Sequence, residues 1–462
     1  MALNWARTFT RTGLLECIED CDDKRLLAAL QWPCVQADRA VLTHALCFAT
    51  RKNRVQSVQL LVQEGADPFL KHRGRSPLYW AVRQNNVSQL ECLLDKAMSR
   101  LQDERLKQQL LSKSYDTSTE EARFLSRANR ALNEAAFDAC GHCCLQSLQH
   151  LLKCGVDVNS YFYHDDEFLS WCTPLIAACY APVSHTSSSS SEREEVEEVV
   201  HCLVSHGADV GMTNHLGDTA LHWCAASGLS RSAKTLLHNG AEINKTNSMH
   251  KSALMMALEY AGMHTDHNQP LVELLLKWGA DVSIVDWDVW NALFYAVQSG
   301  CEEVVLTLLK RGAKTDIELC ANGRQARTSA LLIAIGTSHS LPLVKMLIQW
   351  QADVDALYLC DGKESPILMS AMDEDSEDVL HLLIAAGASY KAMQNTLKHL
   401  ENRPQWSDVP SLQEKLKQAI IQPRSLKQLS RLCLHDVICG RISSRDVPLP
   451  ESLIRYLMFD CL

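Results

Sequence analysis

An all-α solenoid of about nine helix-turn-helix repeats with short hairpin fingers, followed by a small helical C-terminal module, is the fold this sequence predicts. Three observations predict it. A capping residue followed by Ala or Pro and then an aliphatic residue opens seven segments: Ser76-Pro77-Leu78, Thr173-Pro174-Leu175, Thr219-Ala220-Leu221, Ser252-Ala253-Leu254, Asn291-Ala292-Leu293, Ser329-Ala330-Leu331 and Ser365-Pro366-Ile367. A glycine turn recurs as a closing signal, at Gly65-Ala66-Asp67, Gly155-Val156-Asp157, Gly207-Ala208-Asp209, Gly240-Ala241-Glu242, Gly279-Ala280-Asp281, Gly312-Ala313-Lys314 and Gly387-Ala388-Ser389. Between opening and closing stand leucine pairs, Leu60-Leu61, Leu151-Leu152, Leu236-Leu237 and Leu308-Leu309.

Each piece has a local cause. The hydroxyl or amide side chain caps the first helix, and Pro is tolerated at the next position because its missing N–H has no intrahelical partner there. One leucine of each pair is expected on the interface with the neighbouring repeat. Gly then supplies the left-handed backbone that stops the second helix. Glycines 207, 240, 279 and 312 are separated by 33, 39 and 33 residues, which brackets a period of about 33. The array resembles the ankyrin-repeat family, and that resemblance implies a turn and two helices per unit, stable only when stacked.

Along the chain, residues 1–40 read as a helical N-terminal cap, clearest over 12–35, and residues 41–396 as the repeats. The first repeat lies near Thr43, the second lacks its closing glycine, and the third opens at Ala131-Leu132. Insertions are expected near 96–128, with Leu101, Leu106, Leu110 and Leu111 between charges; near 160–171; and near 182–198, where Ser187–Ser191 precede Glu192-Arg193-Glu194-Glu195. The serine tract reads as a surface loop between the two helices of the fourth repeat, with phosphorylation as one reading of it. Residues 397–422, around Arg403-Pro404-Gln405-Trp406, read as a C-terminal cap and joint, and 423–462 as a separate tail.

Composition narrows the function. With 47% apolar and 22% charged residues the chain folds, and a net charge of −10 leaves no broad basic field for nucleic acid. No apolar run reaches the length of a membrane span and the N-terminus lacks a signal-peptide layout, so a cytoplasmic protein is expected, with the nucleus also open. The 19 cysteines are scattered and read as reduced, buried residues rather than disulfides. Cys140-Gly141-His142-Cys143-Cys144 holds a C-x-x-C spacing without a second half for zinc. No phosphate loop, dinucleotide fingerprint, H-E-x-x-H or G-x-S-x-G is present, so neither a catalytic residue nor a cofactor or metal is expected.

Binding is therefore the expected activity. Trp287 and Trp290 fall at a finger tip, either as interface anchors or packed on adjacent fingers. Tyr161, Phe162 and Tyr163 lead into His164-Asp165-Asp166-Glu167, which would suit a basic partner segment or pack on itself.

The tail changes character. Ser425 with Gln428 forms a capping box, and Leu426, Leu429, Cys433 and Val437 recur at helical spacing beside Leu432, Leu434 and Ile438 until Gly440. Pro448 and Pro450 then hold an extended hook before Leu453, Tyr456 and Leu457. A segment this short cannot bury a core of its own, so its apolar face awaits a partner.

With the repeats before it, this tail resembles the SOCS box, and the chain is identified as a member of the ankyrin repeat and SOCS box family. The resemblance implies an elongin-binding helix using Ser425, Leu426, Leu429, Arg431, Cys433 and Leu434, with Ser430 in place of the usual Cys. It also implies a cullin-binding hook using Val447, Pro448, Leu449, Pro450, Leu453, Tyr456 and Leu457, with Val447 in place of the usual Leu. The expected role is the substrate receptor of a cullin-5 RING ubiquitin ligase with elongin B and elongin C as adaptors. The alternative is an ankyrin scaffold or inhibitor that binds a protein without degrading it.

Overall fold

The computed structural model describes residues 12–32, 38–101, 120–162, 171–184, 190–260, 268–321, 324–337, 340–360, 363–373 and 377–401, with residues 417 and 420. Tyr163 and the predicted tail from Ser425 to Leu457 lie outside the described residues. The chain divides into two compact units, Met1–Ile243 and Asn244–Leu462.

In the first unit a helix over residues 12–19 (α1) and α2 (Asp23–Leu30) precede five helix pairs. These are α3 (Arg39–Arg51) with α4 (Val55–Gln63), α5 (Pro77–Arg83) with α6 (Val87–Leu101), α7 (Glu120–Gly141) with α8 (Leu145–Lys153), α9 (Pro174–Ser184) with α10 (Ser190–Ser205), and α11 (Ala220–Ala226) with α12 (Ser230–His238). First helices pack on first helices, α3 on α5, α5 on α7, α7 on α9 and α9 on α11; second helices do the same from α4 to α12. Each repeat therefore buries its faces against its neighbours, as a stacked array must.

Four pairs make up the second unit. They are α13 (Ala253–Glu259) with α14 (Asn268–Lys277), α15 (Ala292–Gln298) with α16 (Glu302–Lys310), α17 (Ala330–Ile335) with α18 (Ser340–Gln349), and α19 (Ile367–Asp373) with α20 (Glu377–Ala386), followed by α21 (Tyr390–Glu401). Between them stand two antiparallel hairpins, β1 (Asp316–Ala321) with β2 (Arg324–Ser329), and β3 (Leu357–Cys360) with β4 (Lys363–Pro366).

The caps fall where the sequence places them. Ser76 Oγ accepts the Tyr79 amide, Ser252 Oγ that of Met255, and Asn291 Oδ1 that of Phe294. Thr219 and His222 form a reciprocal capping box, in which buried His222 Nδ1 accepts the Thr219 amide at 3.1 Å. The closing glycines take left-handed φ values, 87° at Gly207 and 88° at Gly279. In the eighth repeat Gln351 occupies that position at φ 71°, where its Cβ makes the conformation costly.

Several expectations are corrected. The expected all-α repeats with hairpin fingers hold, and at two fingers the hairpin is long enough for a ladder: Asp316 pairs Ser329 through to Ala321 with Arg324, and Leu357 pairs Pro366 through to Cys360 with Lys363. Shorter fingers carry single bridges, such as His72 with Arg75 and Thr246 with Ser252. Pro366 ends β4 instead of starting a helix. Ala131-Leu132 opens nothing, since both lie inside the 22-residue α7. Glu192–Glu195, read as part of a loop, are helical within α10, where consecutive charged residues of high helix propensity extend it. Three of the leucine pairs bury both members, as with Leu236 and Leu237 at 0% and 5% exposure, because the outer helix packs on its own partner as well as on the next repeat, whereas of Leu60 and Leu61 only Leu61 is buried.

One device links the fingers and was not anticipated. Four residues after four of the closing positions an Asn or Asp accepts the backbone N–H of the next repeat's turn. Asn159 Oδ1 takes Asp209 N at 2.8 Å, Asn244 Oδ1 takes Asp281 N at 2.8 Å, Asp316 Oδ2 takes Asp353 N at 3.0 Å, and Asp355 Oδ1 takes Ser389 N at 2.7 Å.

Candidate protein-binding surface

At the fingers of the first unit, residues 71–79, one face of α7, residues 160–162 and Trp171 line a pocket of about 800 Å³. Its first wall is a tight turn. His72 and Arg75 exchange both backbone hydrogen bonds, and the two central residues, Arg73 at φ 52° and Gly74 at φ 80°, are left-handed, as a two-residue hairpin turn requires. The turn leaves Lys71, Arg73 and Arg75 exposed. Arg75 stacks its guanidinium over Tyr79, 4.1 Å from the ring centroid.

The second wall follows from helical spacing. Arg130, Asn133, Glu134, Phe137 and Asp138 recur at three and four residues on α7, which places them on one face. Glu134 is clamped by Lys71 Nζ at 2.8 Å and by Arg130 Nε at 3.4 Å. Burial pushes the half-buried Asp138 carboxyl up to about 7, Glu134 adding to the rise while the Arg75 and Lys71 charges oppose it.

Aromatic rings form the floor and rim. Phe162 bridges to Cys172 through two backbone hydrogen bonds and sets its ring 5.3 Å from Phe137. Tyr161 is 44% and Trp171 57% exposed. Of the residues named from sequence, Tyr161 and Phe162 line this pocket; Trp171 and the basic turn, whose signal is the run Lys71-His72-Arg73-Gly74-Arg75, were not named. Among the described residues the lining carries four cations, Lys71, Arg73, Arg75 and Arg130, against two carboxylates, Glu134 and Asp138; Asp165, Asp166 and Glu167, which carried the expectation of a basic partner, lie outside the described residues.

A second exposed finger lies in the other unit. Asp286 is buried at its base, where Oδ1 accepts the amides of Asp288 and Trp290 and Oδ2 accepts the Tyr295 hydroxyl at 2.5 Å. Burial, followed by that hydrogen bond, pushes the Tyr295 phenol upward. The two tryptophans part company. Trp290 is half-buried against Phe294 and Tyr295, while Trp287 is 75% exposed and donates its indole N–H to Ser248 O at 2.8 Å and its backbone N–H to Met249 O at 3.3 Å. Exposed Met249 stands on the same stretch as Ser248.

The cysteine cluster has a packing role. Cys140 and Cys144 are buried, and desolvation holds both thiols above their ordinary value, to about 11 at Cys144. Among the described residues no group of three or more His, Cys, Asp or Glu could hold a metal, and no helix is long and apolar enough to cross a membrane.

Comparison with known proteins bears on the repeats. The family model for ankyrin repeats matches in three copies, over residues 132–247, 188–286 and 240–319. The B-cell lymphoma 3 protein homolog of Mus musculus is 28% identical over 180 residues, 39% of this chain and 38% of that protein. The ankyrin repeat domain-containing protein SAT10 of Stachybotrys chartarum is 28% identical over 278 residues, 60% of this chain and 12% of that protein. The neurogenic locus notch homolog protein 1 of Homo sapiens is 28% identical over 176 residues, 32% of this chain and 7% of that protein. The chain thus spans well under half of these relatives. It contains ankyrin repeats, and such repeats serve protein–protein interaction.

Proposed function

We propose that this chain is the substrate-recognition subunit of an elongin B/C–cullin-5–RING ubiquitin ligase. Its repeats hold a target protein while residues 423–462 dock onto the ligase. The observation that supports target holding is the fingers of each unit, Arg73, Arg75 and Trp171 exposed in the first and Trp287 in the second, on a backbone fixed by turns and bridges. The support for docking is the tail pattern of Leu426, Leu429 and Leu434 followed by Val447-Pro448-Leu449-Pro450.

In this reading the chain supplies proximity rather than chemistry. Ubiquitin passes from a conjugating enzyme to a lysine of the target, and the receptor raises the effective concentration of that lysine. The site of action is the cytoplasm. Affinity capture of the intact chain tests the proposal: elongin C and cullin-5 are expected to co-purify, and Leu429→Glu is expected to lose both, because a carboxylate cannot be buried in an apolar groove. Replacing Pro448 and Leu449 together is expected to lose cullin-5 and spare elongin C. If the intact chain captures neither protein, the ligase reading fails and the non-degrading scaffold stands in its place.

A further inference from the structure

The pocket between the 71–79 turn and α7 has a charge opposite in sign to that of the chain as a whole. The whole protein carries a net charge of −10, yet this lining holds Lys71, Arg73, Arg75 and Arg130 against Glu134 and Asp138. The charges are not equivalent. Lys71 and Arg130 close on Glu134, whereas among the described residues neither Arg73 nor Arg75 forms an ion pair. Arg75 holds its guanidinium over the Tyr79 ring, 4.1 Å from the centroid, and a guanidinium meets a carboxylate with two parallel hydrogen bonds. Beside these cations lie exposed Trp171 and Tyr161 and the Phe137–Phe162 pair.

We propose that this pocket binds an acidic peptide segment of a partner protein, its carboxylates on Arg73 and Arg75 and an apolar side chain between them on the Phe162 and Trp171 rings. This deepens the reading of the repeats as a target-holding surface and is independent of the tail. Size and range both favour a short segment. A volume of about 800 Å³ accommodates a few side chains. Charges beyond about 8 Å are screened in physiological salt, so such a segment senses the local cations, while a longer polyanion such as nucleic acid meets the acidic remainder of the surface. Asp138, its carboxyl pushed up to about 7 by burial, opposes an incoming anion with less than a full charge at neutral pH.

The test uses the full chain and a short fluorescein-labelled peptide of alternating Glu and Asp around one central Leu, read by fluorescence anisotropy. Binding is expected, weakening with added salt and absent for the same peptide written in Gln and Asn. Arg73→Glu with Arg75→Glu is expected to weaken binding by about a hundredfold, two charge reversals at close range; Trp171→Ala is expected to weaken it by about tenfold. Both changes are at exposed positions, and an unchanged thermal melt establishes that the fold is kept.

Binding of equal strength after charge reversal would overturn the proposal. So would tighter binding of a labelled oligothymidylate than of the peptide. Peptide binding only after Asp165→Asn, Asp166→Asn and Glu167→Gln would also overturn it, by assigning the pocket to the chain's own acidic segment. Capture of elongin C is unaffected by every one of these variants, so failure here and failure of the ligase reading are separable.

Discussion

Two fingers built on the same repeat framework present opposite surfaces. At residues 71–76 the turn is closed by backbone bonds alone, and its charged side chains remain outside, three cations within five residues. At residues 286–291 one carboxylate is turned inward. Asp286, 4% exposed, adds to the backbone bonds of Asp286 N to Trp290 O and Val289 N to Asp286 O by accepting two amides and a phenol, and what remains outside is the Trp287 indole beside the Asp288 carboxylate. The difference teaches that the repeat fixes where a finger stands, while the residue that closes the turn decides whether charge or apolar surface is offered to a partner.

Breaking the inward-facing carboxylate has the largest expected effect. Asp286→Ala leaves three donors at the base of the finger without their acceptor, at a cost of about 3 kcal/mol. Urea unfolding of the full chain measures the loss, and faster hydrogen exchange at residues 286–291 locates it. Val289 sits at φ 65°, a conformation a β-branched residue seldom adopts, so the finger is expected to relax once the carboxylate is gone. An unchanged midpoint would mean that the turn is held by Trp290 and Tyr295 instead.

Removing the indole separates recognition from stability. Trp287→Ala at a 75% exposed position is expected to change stability by less than about 1 kcal/mol. If the ring anchors a target, the same change weakens that complex by about 2 kcal/mol, a roughly thirtyfold loss. Proximity labelling compared between intact and Trp287→Ala chains reads the second number. Binding of the acidic peptide at the other finger is expected to be unchanged.

The boundary between what was legible in the sequence and what was not follows this same division. Ser76, Thr219, Ser252 and Asn291 were legible as caps, and Gly207 and Gly279 as stops, because a cap or a left-handed turn is set by chemistry within a few residues. The hairpins of β1–β4 were hidden by their likeness to shorter fingers, since only length separates a bridge from a ladder. The pocket was hidden for a different reason. It joins Arg75 to Glu134 and to Trp171, and the length of α7, which carries the middle of it, is masked in sequence by an apparent repeat opening at Ala131-Leu132. Trp287 and Trp290 look alike in sequence; only the turn between them, left-handed at Val289, sends one outward and one onto Tyr295. The predicted tail lies outside the described residues, so its reading rests on pattern alone.

A pH series sharpens the contrast at the cationic finger. The Asp138 carboxyl rises from an ordinary value of 3.8 to about 7 in the folded chain, so between those values the folded state holds a proton that the unfolded state has released. Stability therefore falls as pH climbs through that window. The raw shift corresponds to about 4 kcal/mol, and screening at a half-exposed position reduces it to about 1–2 kcal/mol. Asp138→Asn is expected to remove this dependence, raising the melting temperature at pH 8 more than at pH 4, and a variant that tracks the native chain across the range would refute the assignment.

The smallest effect tests what the two regions share. Asn159 in the first unit and Asn244 in the second occupy the same place after a closing glycine, and each accepts the next turn's amide at 2.8 Å while donating to its carbonyl, Asn159 to Gly207 O at 3.1 Å and Asn244 to Gly279 O at 3.4 Å. Both sites are exposed, so water replaces part of what is lost, and Asn→Ala at either is expected to cost about 1 kcal/mol. Asn159→Ala is expected to cost the more of the two, since its second bond is shorter. Equal losses in urea unfolding would show that the amide bond carries the clamp by itself, and Asn→Asp, which keeps that acceptor and removes the donor, is then expected to be neutral at both positions.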